Sequence, residues 1–248
     1  MTLSRRHFIA AAAAAIPCAA RAANGAFAAE GGEIAVRPVA HASFVMETPA
    51  GVFHVDPVGE PGAYAAFPAP DFILVTHEHG DHFNPDTLTA LLGEKTRLIT
   101  NPAVHGMLPA PLQARAAAMA NGETAEHDGF RIGAVPAYNT TPERMKFHPQ
   151  GRDNGYVLDL AGRRVYISGD TEDIPEMRAL ERIDIAFVCM NLPFTMDAAA
   201  AASAVTAFAP RHVYPYHYRG RDGGTQDPAA FARLVGPGIE VEMGGWYD

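Results

Sequence analysis

The length, composition and charge of the chain limit the kinds of protein it can be. Its 248 residues are 48% hydrophobic and 19% charged, which is typical of a single soluble globular domain with a sizeable core. The formal net charge is -9 and no basic stripe is visible, so nucleic acid is not expected as a partner. The two cysteines, Cys18 and Cys189, are not spaced as a metal pair, and no disulfide scaffold is implied.

Residues 1–29 have the character of an export signal. Paired Arg5 and Arg6 precede a weakly apolar, alanine-rich stretch that ends near an Ala-x-Ala site at Ala26-Phe27-Ala28. The apolar stretch is too short to span a membrane, so no stable membrane anchor is expected. The paired arginines resemble a twin-arginine signal, and general secretion is the alternative. We therefore expect the twin-arginine export machinery as a partner, a periplasmic or secreted protein, and a single catalytic domain over residues 30–248.

The first half of that domain begins with strands. Segments 34–39, 43–48 and 52–56 have strand character, and Pro49-Ala50-Gly51 turns the last two into a hairpin. The apolar run Phe72-Ile73-Leu74-Val75 predicts a buried strand. A helix over 85–92 follows, with Asn84 as its cap and a proline at its first position.

The remaining elements alternate between strands and helices. The predicted strands are 97–100, 130–138, 155–159, 164–168, 185–188, 213–215 and 239–242, and the predicted helices are 109–121, 197–208 and 228–234. Residues 139–154 form a polar loop long enough to suggest a function. In both halves hairpins come first and strand–helix alternation follows, which predicts two packed sheets with helices on their outer faces.

The segment from Thr76 to His82 is the most informative part of the chain. It holds three imidazoles and two carboxylates within seven residues. It leaves the end of a predicted buried strand, where a rigid scaffold can aim several ligands at one point. Imidazole nitrogens and carboxylate oxygens at this density suit a divalent transition metal, most often zinc.

An ordered set of motifs resembles the metallo-β-lactamase fold superfamily. The set is His77-x-His79-x-Asp81-His82, then Gly169-Asp170-Thr171, then His217 within Tyr214-Pro215-Tyr216-His217-Tyr218. Within that superfamily the chain is most similar to the ascorbate-6-phosphate lactonase-like branch. The residues that carry this closer similarity are His41-Ala42-Ser43-Phe44, Asp56-Pro57, Tyr166 to Thr171 and Pro175-Glu176-Met177.

The resemblance implies an α+β fold, a four-layer αββα sandwich of two mixed sheets flanked by helices, with a two-metal site at one edge. Two divalent ions are expected, zinc first, with manganese and iron as alternatives. Carried over by position, the ligands are His77 and His79 for the first metal, Asp81, His82 and His217 for the second, and Asp170 as the bridge. Two such ions can hold a water, lower its pKa towards ~7 and polarise the scissile bond.

The chain departs from the family pattern at Asn139. Relatives usually place a third histidine for the first metal at this point, and an amide oxygen is a poorer zinc ligand than imidazole. The nearest replacement is His148 in the same loop, which we expect to be a ligand or near-ligand. The alternative is that Asn139 coordinates weakly or binds substrate. If neither binds a metal, the first site is open and weak.

Two further residues have predicted roles near the metals. His41 is expected to donate a proton to the leaving group or to contact substrate, and the alternative is a structural histidine at a strand start. Asp56 is expected to accept an N–H from a ligating histidine and so fix its tautomer. The alternative for Asp56 is an ordinary turn aspartate before Pro57.

The function predicted from these features is an exported metal-dependent hydrolase acting on a small-molecule ester, lactone, amide or phosphodiester. In this prediction a metal-bound hydroxide attacks, and the catalytic carboxylates Asp81 and Asp170 hold and orient it. A phosphodiesterase or phospholipid-cleaving enzyme is the narrower alternative if the loop cations converge on the metals; these are Arg144, Lys146, Arg152, Arg219 and Arg221. A third alternative, motivated by Asn139, is a metal-binding module of the same fold without turnover.

Overall fold

The computed structural model of the protein describes residues 25–127, 129–219 and 226–247. Most of the predicted export signal, residues 1–24, lies outside the described residues. The end of that predicted segment does not, because Ala26–Ala29 form the first strand of the domain. Within the described residues, no helix is both long and apolar enough to cross a membrane.

The first half of the chain builds a seven-stranded mixed sheet. Its strands are β1 (Ala26–Ala29), β2 (Gly32–Ala40), β3 (Ser43–Thr48), β4 (Gly51–Val55), β5 (Phe72–Val75), β6 (Arg97–Thr100) and β7 (Ala116–Ala118). They lie side by side in chain order. The first four strands pair antiparallel, and the pairs from β4 onwards are parallel.

The second half repeats this arrangement in another seven-stranded sheet. Its strands are β8 (Thr124–His127), β9 (Phe130–Ala137), β10 (Asp153–Leu160), β11 (Arg163–Ile167), β12 (Ile185–Cys189), β13 (His212–Tyr216) and β14 (Glu240–Val241). Again the first four strands pair antiparallel and the later pairs are parallel. The prediction of two mixed sheets is therefore confirmed.

Aromatic residues join the inner faces of the two sheets. Phe44 of β3 stacks on Phe187 of β12, with ring centroids 4.2 Å apart, and Phe53 of β4 meets the edge of Phe130 of β9 at 5.0 Å. Phe44, Phe53 and Phe187 are fully buried. Each such side chain contributes about 1.5–3 kcal/mol of burial free energy. This core fixes the relative position of the two sheets and therefore of the loops at their edges.

Helices cover the outer faces of both sheets, as predicted. They are α1 (Pro85–Leu91), α2 (Pro102–Met107), α3 (Ala110–Gln113), α4 (Pro175–Arg178), α5 (Ala198–Phe208) and α6 (Pro228–Leu234). Leu88 of α1 and Val104 of α2 pack on Ile73 and Val75 in one apolar cluster. The β5 strand is consequently buried on both faces, which explains its unbroken apolar run. At the start of α1, the Asn84 side chain accepts hydrogen bonds from two backbone N–H groups of the first turn.

The helix predicted over 109–121 is wrong in its second half. Only Ala110–Gln113 are helical, and Ala116–Ala118 form the edge strand β7, which pairs parallel with β6. Alanine has a strong intrinsic preference for helix, but that preference is worth less than 1 kcal/mol per residue and yields to pairing with a neighbouring strand.

Candidate metal centre

The predicted ligands meet where the parallel strands of both sheets end. Asp56 follows β4, the segment 76–82 follows β5, Asp170 follows β11 and His217 follows β13. The carboxyl edge of parallel strands is the usual place for a site in such sheets, because the loops there converge. His41 comes from the turn between β2 and β3 and reaches the same edge.

Three of the six non-glycine residues with a left-handed backbone conformation in the described part of the chain lie at this edge. The φ angles of His41, Asp56 and His217 are 54°, 44° and 47°. A residue with a side chain is strained in this region of conformational space, and such strain concentrates at functional sites. In each case the sharp bend follows or precedes a strand end and turns a polar side chain towards the site.

One group of ligand atoms consists of His77, His79 and His148, whose nearest ring nitrogens all lie within 4.8 Å of one another. His77 Nε2 and His79 Nδ1 are 3.1 Å apart. His77 and His148 are fully buried. Three imidazoles facing one point are a typical ligand set for zinc.

A second group lies beside the first. His41, Asp81 and His217 place ligand atoms within 4.8 Å of one another, and so do His77, His82 and Asp170. Asp81 Oδ2 is 3.3 Å from His41 Nε2 and 3.5 Å from His217 Nε2. The structure thus brings every predicted metal ligand to one location.

Asp170 lies between His148 on one side and His82 and His217 on the other. Its Oδ1 lies 3.5 Å from His82 Nε2 and 3.4 Å from His217 Nε2, whereas its Oδ2 lies 3.4 Å from His148 Nε2. Each carboxylate oxygen therefore faces a different set of imidazoles. A carboxylate in this position could bridge two metal ions, and its negative charge would offset the repulsion between two dications.

Unpartnered buried atoms test whether metal ions fit this site. His82 Nε2, His148 Nε2 and Asp170 Oδ1 are buried and have no hydrogen-bond partner among the described residues. Leaving buried polar atoms without partners costs about 1–3 kcal/mol each. All three atoms are good metal donors and point into one space. The residues present therefore fit the binding of metal ions.

Outer contacts fix the orientation of the ligating rings. Asp56 accepts a hydrogen bond from His82 Nδ1 at 2.7 Å, and also from the backbone N–H and the hydroxyl of Thr76, both at 2.7 Å. Asp153 accepts from His148 Nδ1 at 3.0 Å. Because a carboxylate only accepts, both histidines carry the proton on Nδ1 and leave Nε2 free as a ligand. This is the contact predicted for Asp56.

The charges of the site perturb its titration strongly. Burial lowers the pKa of His217, but the Asp170 and Asp81 carboxylates outweigh it and raise that pKa to about 10. Burial raises the pKa of Asp170, yet His217 and His82 hold it well below its usual range. Burial and the neighbouring His82 lower the pKa of His77 well below 6.5. At neutral pH His77 is therefore neutral and ready to ligate, whereas His217 must lose a proton first.

The loop between β9 and β10 places His148, and not Asn139, within the three-imidazole group. The backbone N–H of Asn139 donates to the carbonyl of His148 at 2.8 Å. Its amide nitrogen donates to the carbonyls of Arg144 and Phe194 at 3.0 and 2.6 Å. Asn139 Oδ1 is buried without a partner among the described residues. Asn139 thus holds the loop that carries His148, and its contact with substrate stays a prediction.

Two of the supporting residues were not predicted from the sequence. Tyr247 places its hydroxyl 2.8 Å from His41 Nδ1, although the two residues lie at opposite ends of the chain. Asp153 orients His148. The short spacing from His148 to Asp153 was a possible signal in the sequence, whereas nothing in the sequence pointed to Tyr247.

A cavity of about 510 Å³ opens onto the centre. Its lining includes His41, Asp81 and Asp170 from the centre, two phenylalanines, Phe147 and Phe194, and Arg219. A larger cleft of about 690 Å³ lies elsewhere, between the hairpin turns at residues 49–50 and 161–162. That cleft contains none of the histidines, so the smaller cavity is the one suited to chemistry.

Comparison with known proteins agrees with the fold. The model of the beta-lactamase superfamily domain matches residues 35–217, a span that contains all the candidate ligands described above. The chain therefore belongs to the metallo-β-lactamase superfamily. A relative from Anaeromyxobacter dehalogenans, a UPF0173 metal-dependent hydrolase, is 34% identical over 198 residues, which are 72% of each protein. More specifically, then, the chain belongs to the UPF0173 metal-dependent hydrolase family.

Other similarities extend over most of the chain. A UPF0173 metal-dependent hydrolase from Pyrococcus abyssi is 29% identical over 229 residues, covering 85% of this chain and all of the relative. A crystal structure of a protein from Parabacteroides distasonis superposes with a TM-score of 0.78 at 40% identity, covering 88% of this chain and 96% of the other. The family places the chain among metal-dependent hydrolases, and the alternative of a binding module without turnover is not supported.

Proposed function

We propose that this protein hydrolyses a carboxylic ester or lactone of a small molecule with the help of two divalent ions, zinc first among them. The observation that carries the proposal is the position of Asp170. One of its oxygens faces His148 and the other faces His82 and His217. When bound, two such ions supply a water of lowered pKa and polarise the scissile carbonyl.

Side chains of the protein can carry out the proton transfers that this reaction requires. Asp81 Oδ2 accepts the proton of the attacking water and passes it to the neutral ring of His41, whose Nε2 lies 3.3 Å away. The protonated His41 then delivers this proton to the oxygen of the leaving alcohol as the bond between that oxygen and the acyl carbon breaks, which returns Asp81 and His41 to their starting states. The Tyr247 hydroxyl, 2.8 Å from Nδ1, keeps the His41 ring in place. Burial and the nearby His217 lower the pKa of His41, although Asp81 opposes them, so the ring is neutral at pH 7.

The loop cations favour carbonyl substrates over phosphodiesters, because two of them form ion pairs with acidic residues of the chain. Arg144 pairs with Glu172 at 2.7 Å, and Arg152 pairs with Glu78 and Asp153 at 2.6 and 2.7 Å. Of the loop cations within the described residues, Arg219 alone lines the cavity. Arg221 lies outside the described residues. A lactone substrate would also agree with the predicted resemblance to the lactonase-like branch.

We further propose that the chain is exported through the twin-arginine route to the periplasm. The position of strand β1 indicates that the signal is cleaved before residue 26. It pairs with β2, and its Phe27 packs against Tyr214 and His212 of the second sheet. Cleavage after residue 29 would remove this strand. The Ala20-Arg21-Ala22 motif is an earlier Ala-x-Ala site that leaves β1 intact.

A substrate panel on the metal-loaded protein tests the proposed reaction. Aryl esters, γ- and δ-lactones and a bis-aryl phosphodiester are each assayed with wild type and with Asp170→Asn. We expect ester or lactone turnover by wild type and a loss of at least about 10²-fold in Asp170→Asn. Exclusive turnover of the phosphodiester, or equal rates for the two proteins, would contradict the proposal.

A further inference from the structure

The cavity beside the metal centre has two chemically different walls. On one side Phe147 and Phe194 meet edge to face, with ring centroids 5.1 Å apart, and both line the cavity. Both rings are only partly buried in the protein. Two adjoining, half-exposed aromatic rings form an apolar surface that stacks well against a flat or apolar group of a ligand.

The other wall carries a positive charge. The Arg219 guanidinium lies 4.3 Å from the centre of the Tyr247 ring, and its backbone N–H donates to the Tyr247 hydroxyl at 3.4 Å. Stacking on an aromatic face holds the planar guanidinium while leaving its N–H donors free to bind an anion. Two carboxylates also line this cavity, and neither pairs with Arg219: Asp81 pairs with His41 and His217, and Asp170 faces His82, His148 and His217.

A chain of contacts fixes the distance between this charge and the reacting atoms. Asp81 contacts His41, His41 contacts the Tyr247 hydroxyl, and Arg219 lies on the Tyr247 ring. Along these contacts Arg219 is therefore separated from Asp81 by two side chains, Tyr247 and His41. An anion bound there belongs to a part of the substrate remote from the bond that is cleaved.

We propose that Arg219 and the pair Phe147 and Phe194 form a substrate subsite for an anionic, partly apolar molecule. The substrate class is a carboxylic ester or lactone whose leaving group carries a second acidic group, a carboxylate or phosphate, several bonds from the scissile oxygen. This inference rests on the proposed hydrolase function and adds its substrate class. Fork-shaped donors on arginine suit both acidic groups equally well.

A matched pair of esters tests the subsite. We compare 4-acetoxybenzoate with its methyl ester, which has the same scissile bond and no charge, using wild type, Arg219→Met and Arg219→Lys. We expect wild type to prefer the anionic ester in kcat/KM, and Arg219→Met to reduce that preference about tenfold, the size typical of one charged hydrogen bond. Arg219→Lys retains part of it. The control is Arg131→Met, an exposed arginine that pairs with Glu126 away from the cavity.

A binding measurement separates failure of the subsite from failure of the hydrolase proposal. Titration calorimetry compares 4-acetylbenzoate, which cannot be hydrolysed, with neutral 4-methylacetophenone on the same metal-loaded proteins. If neither ester is turned over but Arg219→Met binds 4-acetylbenzoate about tenfold more weakly than wild type, the subsite is supported and the proposed ester hydrolysis is contradicted. Equal binding of 4-acetylbenzoate to wild type and Arg219→Met overturns the subsite, because a carboxylate held by the ions alone would not depend on Arg219.

Discussion

Glu172 is predicted to control the affinity of the ion bound by His77, His79 and His148. The Glu172 carboxylate is almost completely buried. It accepts hydrogen bonds from the start of the loop that carries His148. Its Oε2 accepts hydrogen bonds from the backbone N–H groups of Thr140 and Thr141, both at 2.7 Å. Burial raises the pKa of Glu172, but these hydrogen bonds and that of Arg144 bring it down to about 2. The group is therefore fully ionised throughout the working range of pH.

The loss of ion affinity expected for Glu172→Gln can be estimated from the hydrogen bonds that the substitution removes. An amide replaces one carboxylate oxygen by an N–H donor, so it either turns a donor towards the two backbone N–H groups or loses the Arg144 bond of 2.7 Å. Losing one or two hydrogen bonds to a charged group costs about 1.5–3 kcal/mol for each bond. That free energy is lost from the loop conformation that presents His148. The affinity of this ion should therefore fall at least about tenfold.

Competition with a chromophoric chelator measures the two ion affinities separately. Glu172→Gln should weaken one ion and leave the other within about twofold of wild type. The control is Glu143→Gln, the same change at an exposed position of the same loop, and it should leave both affinities unchanged. If Glu172→Gln binds both ions as tightly as wild type does, Glu172 does not control the affinity of either ion.

Three other predictions concern the supporting contacts, the packing and the protons. Asp56→Asn removes the negative acceptor 2.7 Å from His82 Nδ1 and should weaken ion binding about 10- to 100-fold in the chelator competition; an unchanged affinity would show that the contact is dispensable. Gly155→Ala places a Cβ 2.7 Å from a backbone oxygen of the adjacent strand and should cost about 1–3 kcal/mol in urea unfolding, whereas Gly133→Ala, with its nearest atom a methyl group at 3.6 Å, should not. Because the pKa of His217 is raised to about 10, ion binding at pH 7 should release at least one proton and strengthen as the pH rises; calorimetry in buffers of different protonation enthalpy counts the protons, and none released would contradict the assignment.

The sequence predicted those features that depend on neighbouring residues. The ligands between His77 and His82 are nearly contiguous, and their strand, bend and helix cap each have local signals. The order of hairpins and strand–helix units predicted both sheets for the same reason. His148 was predicted because it lies in the same loop as Asn139, which departs from the pattern.

The features that the sequence did not reveal depend on distant contacts. Ala116–Ala118 become a strand only because β6 offers an edge, and their own composition favours helix. Tyr247 meets His41 through the closure of the whole fold, and no spacing rule connects two residues so far apart. Ala26–Ala29 have the composition of a signal-peptide end, yet pairing with β2 makes them part of the first sheet.

Counting the ions bound per chain tests whether Asp170 joins two metal ions. Elemental analysis of the purified full-length protein, beside His148→Ala, reads the number of ions without any substrate. We predict two divalent ions in wild type, joined by Asp170, and the loss of one ion in His148→Ala. A single ion in wild type, or two ions in both proteins, would show that Asp170 and His148 do not have these roles.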